Sequence, residues 1–205
     1  MTITAADFSD AARQAVLDGM DQRARTRGFW TPKLRDAARR PLRLCAPHRV
    51  ALLSLNRMQL DSGNEPQSLR SRTHILGWRF LIINELDEPI AAAHTDLTAD
   101  GTYRLGELNE GPYVGSTFEA LQKPLVLEAM SRKKDGNPFE EVLLLLAPPI
   151  YFAGLWVRFQ REDQDFILPL DRSHLPDFVE VEPRVLLSTL HEASAKVPRD
   201  SHSAG

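Results

Sequence analysis

Residues 75–108 read ILGWRFLIINELDEPIAAAHTDLTADGTYRLGEL, and the fold class turns on their period. Leu76, Trp78, Phe80 and Ile82 alternate with Ile75, Arg79, Leu81 and Ile83, which places the two sets on opposite faces of a strand. Asp87–Pro89 carries turn chemistry, and Ile90–Leu97 reads as the return strand. Asp100-Gly101 is a hairpin signal because both residue types tolerate positive φ. Tyr103–Leu108 completes a three-stranded meander that ends before Gly111-Pro112.

Toward the C-terminus, Ser116-Thr117-Phe118-Glu119 has the form of a capping box, so a helix is expected from there toward Lys134, broken at Pro124. Glu140–Ala147 holds a continuous leucine run, the mark of a strand buried on both faces. Pro148-Pro149 stops it. Tyr151–Phe159 alternates as a further strand, and QREDQD turns into a last one at Phe166–Leu168. Trp78, Tyr151, Phe152 and Trp156 could line a pocket, but aromatics at strand spacing are expected in the core. Pro183 opens a helix carrying Leu186, Leu187 and Leu190.

Toward the N-terminus the pattern turns helical. Phe8, Ala12, Ala15/Val16 and Met20 recur on one face after a weak cap at Thr4, and Gly28 interrupts them. Thr31-Pro32 predicts a second helix that stops before Pro41. His48–Leu60 fits neither period cleanly and is read as helix on length. The resulting class is α+β: a mostly antiparallel sheet of about six strands, ordered helices-βββ-α-βββ-α, with helices on one face. Its expected divisions are a basic helical arm at 1–60, a polar linker at 61–73, a body at 74–197 and a frayed tail at 198–205.

The chain has 205 residues, 42% of them hydrophobic and 26% charged, which suits one globular domain and excludes collagen-like and wholly disordered classes. The single Cys45 excludes an internal disulfide framework. The longest apolar run, Val142–Ala147, is far short of the ~18 residues of a membrane span. MTITAADFSD has no early basic residue and no apolar stretch, so a cytoplasmic location is the expectation.

Charge is segregated. Residues 1–72 hold 13 Lys and Arg against 7 Asp and Glu, while the net charge of the whole chain is −3. Arginine beside an aromatic suits either a carboxylate-bearing protein surface or phosphates and bases. The leading expectation is therefore a non-catalytic interaction module. Trp30 would be its buried anchor, and Arg35, Arg39 and Arg40 would fork onto the acidic surface of a protein partner. Nucleic acid is the alternative ligand of the same arm.

An enzyme would have to be built from sparser material. Cys45 could serve as a nucleophile if Arg43 and Arg49 depressed its pKa, although Leu44 and the apolar run after Arg49 suggest partial burial. His94 and Asp96, two apart on one strand face, could form an acid–base pair with Glu107 from the next strand. Asp171-Arg-Ser-His174 is a second polar cluster. Cys45-x-x-His48 lacks the second ligand pair that zinc wants, and no glycine-rich phosphate loop occurs, so no metal or cofactor is expected. Ser131–Lys134 has the Ser-x-x-Lys spacing without its companion motifs.

Overall fold

A computed structural model describes residues 10–26, 28–29, 34–35, 42–54, 68–111, 113–131, 139–170, 175, 177 and 179–195. Helix α1 (Asp10–Thr26) leads into strand β1 (Arg43–Leu53), followed by β2 (Thr73–Ile83), β3 (Pro89–Leu97) and β4 (Tyr103–Asn109). Helices α2 (Tyr113–Leu121) and α3 (Pro124–Ser131) come next, then β5 (Phe139–Ala147), β6 (Phe152–Phe159), β7 (Phe166–Pro169) and α4 (Pro183–Ala195). The class is α+β, with one seven-stranded sheet in the order β4-β3-β2-β1-β5-β6-β7. Every neighbouring pair is antiparallel except β1 and β5. No helix among the described residues is long and apolar enough to cross a membrane.

The additional strand is β1, at the middle of the sheet and inside the stretch expected as an arm. The helical reading of the residues after Pro47 is corrected by its pairing with β2 and β5. The reason is local. Between Cys45↔Leu81 and His48↔Arg79 the strand carries an extra residue, with Ala46 at φ 46°. A bulge is the one place where a central strand tolerates proline, and it shifts the alternation by one position. The period was therefore broken where it was being read.

Helices cover both faces of the sheet, not one. On the first face, Val114, Ala120 and Leu121 of α2 and Val126 and Ala129 of α3 pack on Val50, Leu81, Ala92, Leu144 and Leu155. On the second, Ala12 and Val16 of α1 lie over Phe80, Ile82, Ala91 and Ala93. Leu186 and Leu190 of α4 share a separate cluster with Leu143, Leu145, Trp156 and Ile167. The leucine run of β5 feeds both faces, as expected of a central strand, and each fully buried leucine contributes about 1.5–3 kcal/mol. Gly19 sets the approach of α1, since a Cβ there would lie 2.4 Å from the Leu105 side chain.

Of the expectations at chain turns, the Ser116 cap comes out differently. The helical break at Pro124 is present, but α2 starts at Tyr113, directly after Gly111-Pro112, so Ser116 lies within the helix and does not cap it. The Asp100-Gly101 hairpin forms with Gly101 at φ 81°. Residues 1–9, 55–67 and 196–205, and with them most of the expected linker and tail, fall outside the described residues.

Candidate functional site

The register of four strands builds the site. His48 on β1 faces Arg79 on β2, Arg79 faces His94 on β3, and His94 faces Glu107 on β4. Directly opposed residues in a sheet share a face, so these four side chains form a polar row across the face that α2 covers. Two irregularities produce the alignment. The bulge at Ala46-Pro47 turns His48 to the side of Arg79, and an extra residue at Gly106 keeps Glu107 opposite His94.

Arg79 is 7% exposed, and its buried Nε and Nη2 have no hydrogen-bond partner among the described residues. Burial pushes its guanidinium down to about 10, opposed by the Glu107 charge. It remains cationic at neutral pH. Beside it, His48 Nδ1 lies 2.7 Å from the Ala46 carbonyl and donates to it, leaving Nε2 as a buried acceptor without a partner. Burial first, and the Arg79 charge second, lower the His48 pKa to about 3, so this ring is neutral. His94 is also lowered, chiefly by burial, although Asp96 lies 3.7 Å from its Nε2 and pulls the other way.

Arg79, His94 and Glu107 of this row floor a cavity of about 360 Å³. Val50, Leu76, Ala92, Leu146, Pro148 and Phe152 supply apolar wall, and Tyr113 and Tyr151 add rings. Arg79, His94, Glu107 and Asn109 are the remaining polar lining. Tyr113 stands at the start of α2, and its hydroxyl donates a long 3.5 Å contact to the Tyr151 carbonyl. Tyr151 follows the Pro148–Ile150 turn in left-handed conformation at φ 53° and is 78% exposed, so the expectation that it belongs to the core is corrected. The double proline that ends β5 places it there. Phe152 is buried and lines the cavity as well.

The residues singled out in the sequence are distributed unevenly around this site. His94, Asp96 and Glu107 come together as the strand spacing suggested, with His94 and Glu107 in the cavity lining and Asp96 beside His94 and Arg104. Cys45 is half-buried on β1, where burial raises its thiol to about 11 against the weaker lowering effect of Arg43. The activation expected from neighbouring arginines is thus outweighed by desolvation, and Arg43 itself pairs with Asp87. Arg35 is exposed, while Trp30, Arg39, Arg40 and the Asp171–His174 cluster lie outside the described residues. Arg23 donates to the Gly106 carbonyl at 3.2 Å, Arg25 pairs with Asp21, and Arg49 pairs with Glu141. No group of three or more metal-ligating side chains occurs among the described residues.

Sequence reasoning missed Arg79 and His48. Arg79 did carry a signal, because it shares a strand face with Leu81 in an otherwise apolar segment. His48 carried none, since the bulge that turns it inward is invisible to a period-two count. Compared with known protein families, curated proteins and solved structures, the chain matches none.

Proposed function

We propose that the protein binds a small organic acid in the cavity between β1–β4 and α2, without transforming it. The observation that carries this is Arg79, a buried cation in the lining of a mainly apolar hollow, with no ion-pair partner among the described residues. An unpaired buried charge is costly, and a carboxylate that accepts from its guanidinium removes the cost. The volume falls in the range of small-molecule sites, about 300–1,000 Å³. One guanidinium flanked by two neutral imidazoles and opposed by Glu107 suits a single negative charge better than the double charge of a phosphate monoester.

Docking on an acidic protein through Trp30, Arg35, Arg39 and Arg40 has less support. Its basic stretch spends Arg23, Arg25, Arg43 and Arg49 on partners within the chain, leaving exposed Arg35 as its described contact. The same holds for nucleic acid.

Hexanoate and hexanol test the leading reading, because they share an apolar body and differ in charge. Hexanoate should raise the melting temperature with the logarithm of its concentration above Kd, with about 2.7 kcal/mol of added stability at a hundredfold excess over Kd. Hexanol should not. Equal stabilisation by both, or by neither, overturns the organic-acid reading.

A further inference from the structure

The cavity is polarised along its floor. Arg79 is buried on β2, whereas Glu107 on β4 is exposed, and neutral His94 lies between them in the same row. The two charged residues are separated by two strand spacings, roughly 9–10 Å between backbones. No ion pair joins them among the described residues, so Arg79 is an unpaired buried cation while Glu107 stands at the solvent side of the same hollow. A compact ligand could engage one end only. A ligand that engages both must carry opposite charges at the ends of an apolar spacer.

We infer that the occupant is an elongated zwitterion, an ω-amino carboxylate whose carboxylate reaches Arg79 and whose ammonium reaches Glu107. This rests on the organic-acid reading of the same cavity and specifies its ligand class. The carboxylate takes the buried end because that is where an unpaired cation costs most. The spacer lies over the His94 ring and against Val50, Ala92 and Tyr113, which offer it apolar contact. The ammonium stays near water, so its contribution is that of an exposed pair.

Calorimetry on the full chain with ε-aminohexanoate, hexanoate, hexylamine and β-alanine separates the two claims. ε-Aminohexanoate should bind about threefold more tightly than hexanoate, the gain of an exposed ion pair. Hexylamine, without a carboxylate, and β-alanine, with too short a spacer, should bind far more weakly. Glu107→Gln should erase the threefold preference for ε-aminohexanoate over hexanoate, and Glu107→Lys should favour adipate over ε-aminohexanoate. If hexanoate equals ε-aminohexanoate in the unaltered protein, or if β-alanine binds as well, the zwitterion is wrong and the organic-acid site stands. If none of the carboxylates binds, both fall.

Discussion

Replacing Arg79 with methionine should make the unliganded protein more stable and abolish its binding of hexanoate. The unbranched side chain keeps the apolar stem and removes the charge. Burial pushes the guanidinium down from its ordinary range to about 10. With each unit equivalent to about 1.4 kcal/mol, folding opposes that charge by roughly 3 kcal/mol. Part of this gain is lost to imperfect packing of the new side chain, which leaves an expected stabilisation of about 1–3 kcal/mol. For a chain of this size each kcal/mol moves the melting temperature by roughly 2–4 °C. Calorimetric melting of both proteins without ligand, followed by hexanoate titration of each, is the assay. A binding residue held at the expense of stability predicts a higher melting temperature and no titration. A melting temperature lowered by several degrees would show that Arg79 is a structural partner, and the reasoning would fail with it.

His48 should make stability pH-dependent. Its folded pKa of about 3 lies below the ordinary 6.5, so the unfolded chain binds a proton that the folded chain refuses. Nothing is lost above pH 6.5, and stability falls as pH drops toward 3; at pH 4 the loss is about 3 kcal/mol. Urea melts at pH 7 and pH 4 should show the natural protein losing about that much more than His48→Asn, and equal losses would contradict the assignment. Gly77→Ala should cost about 3 kcal/mol or more, because its Cβ would lie 1.9 Å from the Thr95 carbonyl oxygen. Gly115→Ala, in α2 with open space around it, should instead gain about 0.5–1 kcal/mol. Chemical denaturation of the pair distinguishes them, and two changes of the same sign would refute the contact geometry. Cys45, with its thiol raised to about 11, should react with a thiol reagent at pH 8 about a hundredfold more slowly in the folded than in the unfolded protein. Comparable rates would reopen it as a nucleophile.

How much of the molecule was legible follows from where the chain keeps its period. β2, β3 and β4 were readable because Trp78, Phe80 and Ile82 alternate without interruption and Asp100-Gly101 fixes the return. β5 was readable because Leu143–Leu146 faces helices on both sides. β1 was hidden by its bulge at Pro47, and with it went the central position of the sheet. The covering of both faces was hidden too, since a pattern of buried residues says that a face is covered but not by which helix. The site divided along the same line. His94 and Asp96 follow from regular alternation, whereas His48 and the register of Glu107 depend on bulges and Arg79 on the absence of a partner. A missing partner is a three-dimensional fact, so composition could suggest that charge was available but not where. Part of the basic stretch is answered within the chain, where Arg43 and Arg49 pair with Asp87 and Glu141.

The most direct test is a crystal structure with ω-bromohexanoate, in which the bromine marks the spacer and the carboxylate can be placed from density. The carboxylate oxygens should lie within hydrogen-bond distance of the Arg79 guanidinium, with the bromine among the apolar walls toward Glu107. An empty cavity, with Arg79 turned to pair with Glu107, would contradict the account.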